Sequence, residues 1–156
     1  MVRDPRHDVL FEPVRIGPVT SRNRFYQTPQ CNGMGRNYPT AMAAMRGVKA
    51  EGGWGVVCTG YCSIHPSSDD TPHVTATLWD DEDVRTQALM VEGVHRHGAL
   101  AGVELWYGGI GTSSYLTRMP PLGVTSRPLM WDNPLQTRAM DAQDIRDFRR
   151  WHRDAA

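Results

Sequence analysis

The chain has 156 residues, 40% of them hydrophobic, and its 17 basic residues balance its 17 acidic ones. This composition is that of a globular protein and excludes a disordered or fibrous one. A formal net charge of zero leaves no electrostatic footprint for nucleic acid or an anionic membrane, and no apolar run approaches the ~18–20 residues of a membrane span. We therefore expect neither nucleic acid nor a membrane as a partner.

The cysteines and the N-terminus indicate a compartment. Three cysteines in a chain of this size do not suggest a disulfide framework, so a reducing cytoplasm is the expected location. Cys58 and Cys62 are spaced C-x3-C with no second pair and no matching histidines, so we expect no metal site. The charged start MVRDPRHDVLFEP lacks the apolar segment of a signal peptide.

The first half of the chain alternates β-prone and helical segments. Residues 13–21 predict a small hairpin, and residues 24–28 predict the first substantial strand. The segment from Thr40 to Gly52 is rich in alanine and methionine, with an N-cap candidate at its first residue and a terminator at its last, which predicts a helix. The β-branched run GVVCTGYCSI, residues 55–64, then predicts a buried second strand.

The following unit has the clearest helix signals. Asp80 is a good N-cap, and acidic residues crowd the first turn behind it. Four residues recur at helical spacing along the segment: Val84, Ala88, Val91 and His95. The apolar run ALAGVELWY, residues 99–107, predicts a third strand, and an irregular loop follows it. Asp141 caps a final predicted helix.

Strands that alternate with helices in this way imply parallel strands joined by right-handed crossovers. A sheet of three parallel strands leaves both edges unpaired, which is a poor outcome for strands this apolar. The predicted fold class is therefore α/β, and residues 1–156 are interpreted as one part of a larger domain.

Functional side chains of parallel α/β barrels collect where the strands end. The three predicted strands end near these residues: Thr28, Pro29 and Cys31; Thr59, Gly60 and Tyr61; Glu104, Trp106 and Tyr107. Together they present a thiol, backbone amides, a carboxylate and aromatic rings, which suits a flat, conjugated, hydrogen-bonding ligand.

Each of these residues also has a structural interpretation. Cys31 taken alone is more often an incidental thiol than a reactive one, and Tyr61 and Trp106 are typical core or interface aromatics. Glu104 is harder to explain structurally, because we expect a carboxylate inside the run AGVELWY to be buried. Buried acids are rare unless they are paired or functional.

Five stretches of the sequence together resemble one family. They are RDPRHDVLFEPVRIGP, RNRFYQTPQC, VKAEGGWGVV, YCSIHPSSDD and HRHGALAGVELWYGG, and they cover nearly the first 110 residues. This text resembles the flavin barrel of the Old Yellow Enzyme superfamily, and within it the trimethylamine, dimethylamine and histamine dehydrogenases. The resemblance implies that residues 1–156 are the N-terminal portion of an FMN-binding TIM (β/α)8 barrel, about three βα units after a leading β-hairpin, truncated before the fourth strand.

The resemblance also implies roles for individual residues. Six of them would bind FMN: Thr28, Pro29, Cys31, Thr59, Gly60 and Glu104. Cys31 would be joined covalently to flavin C6, and Glu104 would hydrogen-bond the pyrimidine ring. Tyr61 would hold an alkylammonium substrate by cation–π attraction, and an aromatic residue there favours a tertiary amine over a secondary one. The family's catalytic tyrosine, histidine and aspartate, and its 4Fe-4S cysteines, are expected beyond residue 156.

The leading hypothesis is thus a part of an FMN-dependent amine dehydrogenase. The complete enzyme would oxidatively dealkylate a trimethylamine-like amine by transferring a hydride equivalent to flavin. It is expected to form a homo-oligomer, and an electron-acceptor protein is a further candidate partner. Two alternatives stay open: an NAD(P)H-dependent ene-reductase of the same superfamily, and a non-catalytic α/β module that binds flavin or a partner protein. We do not expect activity from the 156 residues alone.

Overall fold

The computed structural model describes residues 4–131 and 135–156. The predicted hairpin is confirmed, because β1 (Val14–Ile16) and β2 (Val19–Ser21) pair in antiparallel fashion. Gly17 in the turn has a φ of +57°, a left-handed conformation that glycine adopts without strain.

The central sheet is built on β4 (Val56–Ser63). β6 (Leu100–Trp106) runs parallel along nearly all of it, β3 (Tyr26–Gln27) pairs with its start, and β5 (Ala76–Thr77) pairs with its end. The parallel strands confirm the interpretation of the alternating pattern. β3 is shorter than predicted, because the next alternate residue, Pro29, has no N–H to donate to the ladder. β5 was not predicted, since two residues form no recognisable pattern.

The helices have the bounds α1 (Pro39–Glu51), α2 (Asp81–His95) and α3 (Ala142–Ala155). α1 ends at Gly52 as predicted, but the prediction of Thr40 as its N-cap was wrong, because the helix begins at Pro39 and its N-cap is Tyr38, two residues earlier. Proline is favoured in the first helical turn, where its missing N–H has no partner to lose. Asp80 and Asp141 cap α2 and α3 as expected, each accepting two backbone N–H bonds. No helix in the described ranges is long and apolar enough to cross a bilayer.

The helical spacing noted in α2 does not identify its most buried face. Val84 is 56% exposed, and the buried residues are instead Gln87, Met90 and Val94. These three lie at i, i+3 and i+7, so they form an equally regular stripe on a neighbouring face of the helix. The face was decided by the fit against α1 and not by periodicity.

α1 and α2 pack against each other nearly backbone to backbone. A Cβ added to Gly93 would stand 3.3 Å from the carbonyl oxygen of Ala43, and one added to Gly47 would stand 3.5 Å from the carbonyl oxygen of Gly93. The buried core beneath this contact lies between the helices and one face of the sheet, and comprises Met42, Ala50, Val57, Met90, Val94 and Ala99.

The segment between β6 and α3 is less irregular than predicted. It contains β7 (Leu122–Gly123) and β8 (Arg138–Ala139), which pair in parallel. α3 then packs where β4 and β6 end. The Trp151 ring stacks on His65 with centroids 3.7 Å apart and lies parallel to Tyr107 at 5.8 Å.

Arg22 connects the ends of the two packed helices. Its Nη1 donates to the carbonyl of His97 at 2.7 Å, and its Nη2 donates to the carbonyls of Ala50 at 2.6 Å and Trp54 at 2.9 Å. The carbonyls of Trp54 and His97 lie just beyond the ends of α1 and α2, and that of Ala50 lies in the last turn of α1, where it also accepts the amide of Gly53 at 3.1 Å. One guanidinium therefore links the ends of both helices to the segment that follows the hairpin.

We predict that Arg22→Ala lowers the free energy of unfolding by about 1.5–3 kcal/mol, because its charge-assisted hydrogen bonds to three carbonyls are lost. The matched control is Arg24→Ala, which removes an exposed ion pair to Glu12 with atoms 3.8 Å apart. That change should cost less than about 1 kcal/mol. Urea unfolding of both variants measures the difference, and equal effects would contradict the prediction.

Candidate functional site

The C-terminal ends of β3, β4 and β6 meet at one edge of the sheet, because these strands are parallel. Tyr61 on β4 is the register partner of Glu104 on β6. The loop after β3 is bonded to β4, since the amide of Gln30 donates to the carbonyl of Thr59 at 3.2 Å. The structure thus brings the predicted site residues from all three strands together.

A β-bulge shapes β4 at this edge. Between Cys58 and Tyr61, both paired with β6, β4 has one more residue than its partner strand. Thr59 lies in this bulge with a fully buried side chain, and its hydroxyl donates to the carbonyl of Gly60 at 2.5 Å. The amide of Glu104 donates to the same hydroxyl at 3.4 Å. The hydrogen bonds of the Thr59 hydroxyl are therefore made within the sheet. The bulge changes the direction of the side chain that follows it in β4.

Cys31 lies directly against the bulge. A Cβ added to Gly60 would stand 2.9 Å from the Cys31 sulfur and 3.0 Å from its Cα, so only glycine permits this contact. Cys31 nevertheless remains exposed at the site edge, as does Thr28, while Pro29 between them is half-buried. The thiol is thus pressed against β4 and still accessible.

The expectation that Glu104 is buried was wrong, because the structure leaves it exposed. Side chains of a strand alternate between faces, so Glu104 shares a face with Gly102 and lies opposite Ala101. Ala101 packs on the helical core, whereas no helix in the described part of the chain covers the other face. The carboxylate is therefore free to accept hydrogen bonds from a ligand.

Tyr61 is held by two neighbours. Its ring centroid lies 4.4 Å from that of Trp106, with the planes tilted by 33°, and its hydroxyl donates to Asp70 Oδ2 at 2.5 Å. Burial, and then the nearby Asp70 carboxylate, raise the pKa of Tyr61 well above its usual range. The phenol consequently stays neutral, with a fixed ring orientation and a carboxylate behind it.

The charges around Cys31 act mostly against its ionisation. Its contact with β4 removes water from the thiol and raises its pKa, and the carboxylates of Glu104 and Asp70 add to that rise. Hydrogen bonding to Tyr61 opposes it. The Cys31 thiol is therefore protonated at neutral pH in this arrangement.

Two adjacent carboxylates were not assigned from the sequence. Asp69 accepts bonds from the amides of Thr71 at 2.9 Å, Leu116 at 2.8 Å and Thr117 at 2.9 Å, and from the Thr71 hydroxyl at 2.8 Å. It therefore ties the loop after β4 to the loop after β6. Burial acts to raise the pKa of Asp69, but these hydrogen bonds outweigh it and lower the pKa.

Asp70 has the opposite balance. It is 5% exposed, and one carboxylate oxygen accepts from Tyr61 while the other has no hydrogen-bond partner and lies 3.6 Å from His73 Nδ1. Burial raises the pKa of Asp70, although Tyr61 and His73 oppose that rise. An acidic pair soon after a buried strand, as in YCSIHPSSDD, was the signal that could have found both residues.

Parallel βα units whose polar side chains gather at the C-terminal edge define part of a TIM-type α/β barrel. Residues 9–156 match the NADH:flavin oxidoreductase / NADH oxidase family. The chain belongs to this family, and the resemblance to the Old Yellow Enzyme superfamily is confirmed.

Two relatives are related in sequence over much of the chain. Dimethylamine dehydrogenase of Hyphomicrobium sp. (strain x) is 59% identical over 109 residues, which are 70% of this chain and 15% of that protein. The structure of histamine dehydrogenase from Rhizobium sp. 4-9 superposes with a TM-score of 0.94 and 46% identity, covering 98% of this chain and 24% of that one. This chain thus spans less than a quarter of either relative.

A more distant match supports the fold alone. The old yellow enzyme homologue from Zymomonas mobilis superposes with a TM-score of 0.79 at 23% identity, and the match covers 94% of this chain and 44% of that one. The chain therefore corresponds to an incomplete portion of the barrel, as its sequence predicted.

The two adjacent carboxylates predict opposite responses to amide substitution. Asp69→Asn should lower the free energy of unfolding at pH 7 by about 2–4 kcal/mol, because charge-assisted bonds to loop amides are lost. The pKa of Asp69 is lowered on folding, so its stabilisation is present above the pKa of the unfolded chain. It should disappear as the pH falls through the folded-state pKa.

Asp70→Asn serves as the matched comparison one residue away. The pKa of Asp70 is raised on folding, so the wild-type carboxylate loses stability as the pH rises from its unfolded-state pKa through the folded one. The stability of Asp70→Asn relative to wild type should therefore increase from acid to neutral pH. Urea unfolding across that pH range tests both, and parallel pH profiles would refute the assignment.

Proposed function

We propose that this chain supplies one wall of the flavin site in an FMN-dependent amine dehydrogenase. The complete protein would oxidatively dealkylate an alkylamine and deliver a hydride equivalent to the flavin. The carrying observation is the meeting of an exposed thiol, a half-buried tyrosine and an exposed carboxylate, from Cys31, Tyr61 and Glu104, at one sheet edge. The relatedness to dimethylamine and histamine dehydrogenases supports this choice within the family.

The residues at this edge fit FMN. The loop after β3 offers Thr28, Pro29 and Cys31 to a ring system, and the exposed Glu104 carboxylate suits the N–H of a pyrimidine. Gly60 permits close approach of the β3 loop to β4, because it has no side chain that would collide with Cys31. FMN would supply a two-electron acceptor that no amino-acid side chain provides. Thr59 would contribute through its backbone, because its side chain is buried within the bulge.

Tyr61 is the proposed contact for the substrate cation. An alkylammonium group placed over an aromatic face is attracted by the electrons of the ring. The Asp70 carboxylate at the Tyr61 hydroxyl adds negative charge behind that ring. The contact with Trp106 fixes the orientation of the Tyr61 ring. The site therefore favours a positively charged amine over a neutral carbonyl substrate.

Cys31 is the proposed point of covalent attachment to the flavin. We predict that the native protein, purified from its own cells and denatured, carries one FMN whose mass maps to the Cys31 peptide. Cys31→Ser should release the flavin on denaturation, because a hydroxyl does not replace the thiol in this bond. Cys62→Ala, at a fully buried cysteine, is the matched control and should keep the attachment. Mass spectrometry of the denatured wild type and of both variants shows which proteins keep the flavin. Flavin retained by Cys31→Ser would exclude Cys31 as the attachment point.

The substrate class is tested through Tyr61. Tyr61→Leu should weaken binding of tetramethylammonium, a non-reacting cation, by about 3–30-fold, because ~0.5–2 kcal/mol of cation–π attraction is lost. Tyr61→Phe keeps the ring and should bind within about threefold of wild type. Titration calorimetry of the complete protein measures both.

The same preparation separates this proposal from the superfamily alternative. Anaerobic trimethylamine should bleach the flavin absorbance of the wild type, whereas NADPH should not. Bleaching by NADPH and by no amine would instead support an ene-reductase.

A further inference from the structure

Arg46 on α1 is a buried cation without an anionic partner. It is 1% exposed, and its Nη1 donates to Gln27 Oε1 at 2.8 Å while its Nη2 donates to the carbonyl of Gln30 at 2.6 Å. Its Nε has no hydrogen-bond partner. No carboxylate among the described residues forms an ion pair with it.

A buried charge that is compensated only by neutral acceptors is expensive to maintain. Burial lowers the pKa of Arg46, but a guanidinium starts so high that it stays protonated at any physiological pH. The positive charge therefore persists, and its field acts on whatever negative charge forms nearby.

The hydrogen bonds of Arg46 converge on the turn that precedes Cys31. Gln27, which Arg46 orients, donates its side-chain amide to the carbonyl of Thr28. Arg46 itself holds the carbonyl of Gln30. The carbonyls on both sides of Pro29 are thus fixed from the helix side, away from the exposed edge of the site.

The other ionisable groups that face Cys31 are acidic or neutral. Glu104 from β6 and Asp70 from the loop after β4 both disfavour a thiolate, while Tyr61 from β4 hydrogen-bonds it.

Arg46 from α1 interacts favourably with the ionised form of Cys58 first and with that of Cys31 second. Lys49 on the same helix is a second cation on this side of the sheet, and burial and then Arg46 lower its pKa. The charge of Arg46 opposes those of the two carboxylates.

We propose that Arg46 is a positioning residue of the flavin site. It fixes the Thr28–Gln30 turn from behind, and its unpaired charge stabilises negative charge on Cys31 and on the ring that this turn contacts. The effect on the ring rests on the proposed function. The effect on the thiol does not, because it needs no flavin.

The test is the pH dependence of Cys31 alkylation in apoprotein from riboflavin-starved cells. Iodoacetamide reacts with the thiolate, and peptide mass spectrometry follows each cysteine separately. Cys58 and Cys62 are buried, so their protection reports whether each variant is folded. Three variants separate charge from geometry: Arg46→Met, Arg46→Lys and Gln27→Glu.

Arg46→Met should raise the apparent pKa of Cys31 by about one unit, which slows alkylation about tenfold below that pKa. Gln27→Glu should raise it similarly, because it keeps an acceptor for Arg46 and neutralises its charge. Arg46→Lys keeps a cation only below the pKa of the buried ammonium, which burial lowers, so its profile should fall between those of wild type and Arg46→Met. If Arg46→Met exposes Cys58 or Cys62, the other two variants decide.

The proposal would be overturned if Arg46→Met and Gln27→Glu both fold and their pH profiles of Cys31 alkylation match that of the wild type. If Arg46→Met does not fold, a wild-type profile in Gln27→Glu alone would overturn it. Because Gln27→Glu also loses the amide that donates to the Thr28 carbonyl, a structural role alone predicts that these variants expose Cys58 or Cys62, and that any variant that stays folded keeps the wild-type pH profile. Flavin content of the wild type is read separately. A protein that never carries FMN but shows these shifts would refute the proposed function and retain the role of Arg46 toward the thiol.

Discussion

The parallel pairing of β4 with β6, interrupted by one bulge, is the constraint on which the site depends. The pairing brings the ends of the strands to one edge, and the extra residue, Thr59, turns Tyr61 toward Asp70. The bulge also places Gly60 under Cys31, where any side chain would push the thiol away. A regular strand would have left these groups on separate faces, because side chains alternate strictly in a regular ladder.

The charged groups of the site lie at different distances from its exposed edge. Glu104 is exposed at the edge, Asp70 is buried behind Tyr61, and Arg46 lies buried on the helix side. This order suits a ligand with both a hydrogen-bonding ring and a cation, since negative charge faces the cation. The two carboxylates disfavour an ionised Cys31, and the proposed compensation comes from Arg46 on the helix side.

Local signals predicted much of the fold correctly. Asp80 and Asp141 mark helix starts, and the apolar run around Val57 marks a buried strand, because caps and buried strands depend on nearby residues alone. Predictions that required knowledge of neighbours were less successful. The spacing pattern did not show which face of α2 is buried, and Glu104 was expected inside, because burial depends on which element packs on which face.

The sequence by itself determined the family, the alternation of strands and helices, and the grouping of Cys31, Tyr61 and Glu104 at the strand ends. These follow from local patterns and from the rule that parallel strands share an edge. Only the tertiary structure decided that Asp70 holds Tyr61 and that Arg46 supports the turn before Cys31. Both contacts join residues that no local pattern relates, and they form because folding buries polar groups that must then find partners.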